Sequence, residues 1–273
     1  MDIGCNWSKA LKILIEKDSV KIDYIKSFGY GNFNNDFKTM RSMRPILVHG
    51  LGYFENTGMN DIEKIDFNSA NSIIKKCDSP HYGLHLAIRS KDMVAGMTEE
   101  DIYKRMSEQI QFFKKNLSVP LLLENSPDTP HDRKVFDLYP YIMTEQVCKV
   151  IIENDVSFLL DITHAKLTAK YRGWDVYDYI GKLPLEHVIE IHTNGSGYDT
   201  NGFPMDTHQA MEEEDYKLLE WVLNRTKPKI VTLEFNEVET ENYEKVIDSL
   251  ENQLNQIHNI CNSSKQMDSK CLK

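Results

Sequence analysis

Val119-Pro120-Leu121-Leu122-Leu123-Glu124 and Ser157-Phe158-Leu159-Leu160-Asp161 decide the fold. Each is an apolar run too short for a buried helix, and each ends on a carboxylate. A strand with one wet face alternates polar and apolar residues, whereas a strand covered on both faces does not. Working outward, six further runs stand at Asp2 to Asn6, Ile22 to Lys26, Pro45 to His49, Tyr82 to Ala87, Val188 to His192 and Ile230 to Phe235. Helical spacing fills most of the gaps. Leu11, Leu14 and Ile15 share a face, as do Phe67, Ala70 and Ile74. Ile102, Met106, Ile110 and Phe113 form a stripe behind a Thr98-x-x-Asp101 capping box. Met143, Val147, Val150 and Ile151 form another. Val176, Tyr177 and Ile180 follow the sixth run, Tyr216, Leu219 and Val222 the seventh, and a last helix is expected from Glu241 to Ile260. Only the connection from Gly29 to Arg44 lacks a clear pattern. Strands alternating with helices over about 250 residues predict a (β/α)8 TIM barrel. No Gly-x-Gly-x-x-Gly follows the first run, which speaks against a doubly wound nucleotide-binding sheet. The expectation is one domain over residues 1–260, with a polar, loose tail over 261–273.

Composition narrows the function classes. Of 273 residues, 41% are hydrophobic and 27% charged, too apolar for a disordered chain. No apolar stretch reaches the ~18 residues that would span a bilayer. Residues 1–6 show no basic segment leading into an apolar one, so no signal peptide is expected. Five widely spaced cysteines without a C-x-x-C pair disfavour disulfides and thiolate metal sites, and point to a reducing cytoplasm. The formal net charge of −10 disfavours nucleic acid as a partner, since phosphate binding draws on clustered Lys and Arg.

Active sites of such barrels lie at the C-terminal strand ends. Here those ends carry His49, His85, Glu124, Asp161, His192 and Glu234. His164 stands three residues after Asp161, and Asp206 and His208 form an Asp-Thr-His triplet in the loop after the seventh run. A lone histidine or carboxylate at a strand end is more often a hydrogen-bonded structural residue or a helix cap. The joint pattern reads differently. Gathering these carboxylates at one barrel mouth costs several kcal/mol per unpaired charge, and bound cations remove that cost. Nine donors exceed the about four to six that one metal takes, so two or three ions are implied, with some ligands bridging. Imidazole and carboxylate without thiolate suit zinc, iron or manganese. His81, His131, His187 and His258 fall outside this pattern and are expected to be structural. Glu212 to Asp215 reads as the acidic first turn of a helix. Arg89, Lys91, Lys166, Lys170 and Arg172 read as solvated loop residues.

The motifs Val48-His49-Gly50, Leu121-Leu122-Leu123-Glu124-Asn125, Leu159-Leu160-Asp161-Ile162, Ile191-His192, Met205-Asp206-Thr207-His208 and Leu233-Glu234-Phe235 resemble the multinuclear non-haem iron-dependent oxidases, the family of the methanobactin-biosynthesis oxidase. The Leu183 to His192 segment resembles that family's lead-in to its histidine motif. The order of ligands is also similar to that of endonuclease IV, a trinuclear zinc barrel, so the resemblance implies a TIM barrel of the xylose-isomerase and endonuclease IV type. Three departures stand out. His164 replaces a frequent Asn, no second His follows His192, and no acidic residue stands around Lys26 to Phe28.

The resemblance implies an O2-dependent oxidase that modifies cysteines of a ribosomally made precursor peptide, with a small partner protein for substrate delivery. It implies two or three iron ions held by the nine residues named, with zinc or manganese compatible with the same donors. Glu124 is the expected bridging carboxylate, and Glu124, Asp206 and Glu234 are the expected catalytic residues. The alternatives are a zinc phosphodiester hydrolase like endonuclease IV, a sugar isomerase or epimerase, and a metal-binding protein without catalysis.

Overall fold

The computed structural model describes residues 1–28, 33–50, 65–87, 90, 93–135, 144–200, 202–236 and 242–271. Eight parallel strands close a barrel: β1 (Asp2–Asn6), β2 (Tyr24–Phe28), β3 (Ile46–His49), β4 (Tyr82–Leu86), β5 (Leu121–Asn125), β6 (Ser157–Asp161), β7 (Val188–Thr193) and β10 (Ile230–Leu233). Each pairs with its neighbour in sequence around the ring, and β10 closes on β1 with Asp2 opposite Ile230. The leucine runs are covered on both faces, as their lack of alternation requires. Leu121, Leu122 and Leu123 are all buried, as are Phe158, Leu159 and Leu160.

Helices pack outside the strands by their apolar stripes. α1 (Lys9–Glu16), α3 (Phe67–Cys77), α4 (Glu99–Asn116) and α6 (Thr144–Glu153) carry the expected faces, and Thr98 with Asp101 forms the capping box of α4. Met143 and Glu241 lie outside the described residues. α7 (Ile162–Arg172) follows β6 without a loop, because Asp161 is at once the last strand residue and the helix N-cap. α8 (Val176–Ile180) and α9 (Glu213–Leu223) follow, and the acidic run Glu212 to Asp215 opens α9 with a capping box.

The structure departs from the sequence expectation at five places. β2 runs from Tyr24 to Phe28, two residues later than the apolar run suggests. A helix, α2 (Phe33–Met43), occupies the connection after β2; its short stripe Phe33, Phe37 and Met40, interrupted by Asn34, Asn35 and Asp36, packs on the core and is a helical spacing that the sequence reading passes over. β10 ends at Leu233, so Glu234 stands one residue beyond the strand, tied by its N–H to the Thr193 carbonyl at 3.0 Å. The segment after β7 is an antiparallel hairpin, β8 (Gly195–Tyr198) and β9 (Pro204–Gln209), so Asp206 and His208 sit on a strand. Finally α10 (Tyr243–Cys271) continues eleven residues past Ile260. Its stripe Val246, Leu250, Leu254, Ile257 extends to Cys261, which is buried and prolongs the packed face. α5 (Pro130–Val135) lies between β5 and α6.

Candidate metal centre

Alternation along the barrel strands points His49, His85, Glu124, Asp161 and His192 into one mouth. Glu124 sits at the centre. Its Oε2 is 2.5 Å from His49 Nε2 and 3.4 Å from His85 Nε2, and its Oε1 is 3.2 Å from His192 Nδ1. Among the described residues, two groups bring one donor atom per residue to within 4.8 Å of one another: His49, His85 and Glu124, and then Glu124, Asp161, His192 and Glu234. Glu124 belongs to both, as a bridging carboxylate must.

The remaining three expected residues form a separate contact. Asp206 Oδ2 is 3.1 Å from both His164 Nε2 and His208 Nε2. His208 also approaches Glu234 at 3.8 Å, which links the hairpin to the barrel. All nine residues therefore meet at the mouth. Asp206, His208 and His85 are partly exposed, with side-chain exposures of 15, 18 and 21%, and they mark its open side.

Backbone and neighbouring side chains aim these donors. The Asp161 side chain accepts from the His164 backbone N–H at 2.7 Å, which fixes the first turn of α7 and sets His164 beside it. Asn125 clasps Asp161 through both peptide groups at 2.9 Å, and its carbonyl takes His164 Nδ1 at 2.8 Å, leaving Nε2 toward Asp206. Asn194 donates to Asp206 Oδ1 at 2.8 Å, leaving Oδ2 for the two histidines. His208 has φ +52°, a left-handed conformation that non-glycine residues rarely hold. The Asn236 N–H donates to its carbonyl at 2.9 Å.

Two residues in the mouth carry no mark in the sequence reading. Glu190, two positions before His192 on β7, lies 3.3 Å from His192 Nε2 and accepts from Thr232 and from His81 Nε2 at 2.6 Å each. His81 is thus structural as expected, at the inner end of this network. Lys26 on β2 reaches Glu234 Oε1 and lies 3.1 and 3.2 Å from the His192 ring nitrogens. Strand alternation is the available signal, since Glu190 shares a face with His192 and Lys26 with Tyr24.

Electrostatics divides the histidines. Burial drives His85 down to about 3 and lowers His49, so both imidazoles favour the neutral form that a Lewis acid requires. Burial and Lys26 oppose charge on His192, yet Glu234 and Glu124 raise it to about 10. Burial likewise opposes charge on His208, but Glu234 and Asp206 raise it to about 9. Burial raises Asp161 to about 7, with only His164 opposing strongly. Burial would also raise Glu234, but Lys26 and the two histidines hold it at about 2. Burial lowers Lys26 less than Glu234 and Glu124 raise it, so it stays an ammonium.

The donor set fits metal. Asp161 Oδ2 and His85 Nδ1 are buried without a hydrogen-bond partner among the described residues, and Glu124 Oε2 meets histidines only in ion-pair contact. Native interiors rarely leave such atoms unsatisfied. Of the basic residues, Lys166 pairs with Asp215, and Arg172 joins Arg133 on Asp128. Both Lys166 and Arg172 lie on α7, not in loops, and so does Lys170, which stands over the Tyr198 ring. Arg89 and Lys91 lie outside the described residues.

Fold and mouth together define a (β/α)8 barrel with a cluster of imidazole and carboxylate donors at its mouth. The chain belongs to the RiPP precursor modification enzymes of the MbnB/TglH/ChrH family, whose model matches residues 22–262. A UPF0276 protein of Pseudomonas aeruginosa is 23% identical over 206 residues, 71% of this chain and 70% of its own length. Among solved structures, the IolI protein with a bound zinc atom aligns with TM-score 0.60 at 11% identity, covering 97% of this chain and 98% of its own. Endonuclease IV from Thermus thermophilus aligns with TM-score 0.53 at 12% identity, covering 98% and 100%. At such identities these two show the barrel alone. The family implies a peptide substrate. Among the described residues no helix is long and apolar enough to cross a membrane.

Proposed function

We propose that this chain is an O2-dependent, multinuclear iron enzyme that modifies cysteine residues of a ribosomally made precursor peptide. One observation carries the reading: Glu124 belongs to two donor groups at once, which suits a pair of ions sharing a carboxylate. Family membership supports the peptide as substrate. In this reading His49, His85 and Glu124 hold one ion, and Glu124, Asp161, His192 and Glu234 hold a second. His164, Asp206 and His208 offer a third position. Bound iron supplies a Lewis acid for a thiolate and the redox capacity for reaction with O2.

The chain's own residues do the remainder. Asn125 and Glu190 fix the donors before substrate arrives, so binding an ion costs little rearrangement. The partly exposed edge of Asp206, His208 and His85 is where the peptide enters. Burial opposes the charge on Asp206, but His208 and His164 hold its carboxylate ionised, so it stands at the open edge as a fixed anionic donor. Glu124 and Glu234 stay ionised at the centre, where they offset the positive charge of the ions. A small partner protein for peptide delivery belongs to the same proposal, as does a reducing, cytoplasmic setting for the substrate thiol.

The test is anaerobic reconstitution with ferrous iron, followed by O2 and a cysteine-containing precursor peptide. Oxygen uptake with a matching mass change in the peptide is expected. Iron-loaded protein that neither consumes O2 nor alters the correct peptide overturns the reading. Cleavage of an abasic-site duplex by the zinc-loaded protein would replace it with a hydrolase.

A further inference from the structure

Asn6, the last residue of β1, stands level with the donors. Cys5 lies opposite Leu233, and Leu233 opposite Thr193, so the next residues, Asn6, Glu234 and Asn194, continue one row across three neighbouring strands. The Asn6 side chain faces the barrel interior. A Cβ on Gly4 would stand 2.6 Å from Thr232 Oγ1 and 3.1 Å from Leu47 Cδ1, and Thr232 Oγ1 donates to the buried Glu190 carboxylate, so Gly4 faces inward. Asn6, two positions on, shares that face. Its backbone is well held. The Trp7 N–H donates to the Lys26 carbonyl at 3.0 Å, and Ser8 caps α1 by accepting from the Leu11 N–H at 3.0 Å. A single residue thus separates Asn6 from a helix cap.

What marks Asn6 is an unused acceptor. The residue is 5% exposed, and its Oδ1 is buried without a hydrogen-bond partner among the described residues. An unpaired buried acceptor is destabilising, and native interiors hold few of them. Asn194, on the other side of Glu234, also has a buried, unpartnered Oδ1, but its Nδ2 donates to the Gly195 carbonyl at 3.1 Å and to Asp206 Oδ1 at 2.8 Å. That carboxamide fixes the hairpin, whereas the Asn6 oxygen is left for a ligand. An uncharged acceptor suits an uncharged donor, and the main-chain N–H is the donor a peptide supplies whatever its side chains. Access is shared with the donors. His49, Glu124, Asp161, His192 and Glu234 are each less exposed than Asn6, so an opening that admits a thiol to them admits its main chain to Asn6.

We propose that Asn6 is a substrate-binding residue whose Oδ1 accepts a main-chain N–H of the precursor peptide beside the reacting cysteine. This role rests on the peptide-modifying reading of the same mouth. Its test is a coupling read by binding, without turnover. The full-length parent, Asn6→Leu and Asn6→Ser are held anaerobically as purified and titrated by calorimetry with the precursor peptide of the oxygen-uptake test. The peptide is used unmodified and N-methylated in turn at the cysteine and at each of its neighbours. In the parent, one N-methyl group is expected to weaken binding by at least about tenfold, the equivalent of one lost hydrogen bond. Asn6→Leu is expected to bind the unmodified peptide that much more weakly and to be indifferent to the same methyl group, because the contact is already gone. Asn6→Ser, with a shorter acceptor, should fall between. Both variants should match the parent in metal content, and Asn6→Leu without peptide should melt no lower, since a side chain of similar shape replaces an unpaired acceptor. A parent blind to all three methyl groups overturns the proposal. So does a variant that binds the peptide as the parent does, or one that is weakened yet senses the methyl group unchanged. Loss of an ion in the variants would make Asn6 a ligand, and failure of both to fold would make it structural; either result overturns the proposal too. A parent that neither binds nor modifies the peptide removes the peptide reading and this role with it; a parent that does both, matched by Asn6→Leu, leaves that reading standing and removes only Asn6.

Discussion

Gly83→Ala offers a clean test of the donor assignment, because it acts on a proposed ligand without removing it. A Cβ at Gly83 would stand 2.6 Å from His49 Cδ2 and 3.3 Å from Leu159 Cδ1, where ordinary contacts begin at 3.4 Å. His49 must therefore retreat by about 0.8 Å, several times the roughly 0.2 Å that metal–ligand distances tolerate. It has little room, for its ring is 2% exposed and packs 4.9 Å from the His85 ring and 5.8 Å from the His192 ring. Overpacking of this kind costs about 1–3 kcal/mol. At about 2–4 °C per kcal/mol for a chain somewhat smaller than this one, melting should fall by roughly 2–12 °C. Metal affinity at the His49, His85, Glu124 group should fall by at least about tenfold, the lower bound for disturbing even a ligand's support. Thermal melting of the metal-free protein and chelator competition on the loaded protein measure the two effects separately. A variant that melts lower yet binds metal as tightly as the parent would refute His49 as a donor. Unchanged melting would refute the packing argument itself.

Three further outcomes follow from the same geometry. Asp161→Asn keeps an N-cap for α7, since Asn caps as well as Asp, so the variant should fold with melting close to the parent while losing an ion from the second group; a parental metal count would show that Asp161 only caps. Gly195→Ala places a Cβ 1.9 Å from the Ala210 carbonyl, a backbone atom that cannot swing aside, so the β8–β9 hairpin must shift and take Asp206 and His208 with it. Peptide modification should fall sharply while the barrel's far-ultraviolet signal stays; full activity would remove the hairpin from the site. Metal uptake should release protons, because His192 and His208, at about 10 and 9 in the metal-free protein, must lose theirs to become ligands. Affinity should therefore rise from pH 7 to pH 9, and calorimetry in buffers of different ionisation enthalpy checks it; a flat profile would exclude both as ligands.

The barrel was legible because its strands break the usual alternation. Runs such as Leu121-Leu122-Leu123 and Phe158-Leu159-Leu160 leave one reading, a strand covered on both faces, and the intervening helices announce themselves by their apolar spacing. What stayed hidden was structure that long-range contact imposes. The β8–β9 hairpin is built from Gly195, Ser196, Gly197 and Pro204, residues poor in strand preference. Its pairing is held by close approach: a Cβ on Gly197 would meet Thr207 Oγ1 at 2.5 Å. The glycines look like loop signals locally and act as spacing devices globally. The end of α10 escapes a sequence reading for the converse reason. Its last residues are polar, and only Cys261 at the next position of the stripe tells that the packed face goes on.

The site shows the same division between residue type and register. Nine donors could be found because imidazoles and carboxylates at strand ends advertise chemistry by type. Glu190 and Lys26 are no less buried, but their types are common on surfaces, and only their register turns them inward. Lys26 is the sharper case. The apolar run Ile22 to Lys26 places it at a strand end, whereas the true strand carries it in the middle, opposite Leu47. A two-residue shift preserves the facing of every side chain and moves only the depth. Depth decides its effect here: a lysine at the rim would extend into water, and a lysine one layer down must leave its charge among the donors.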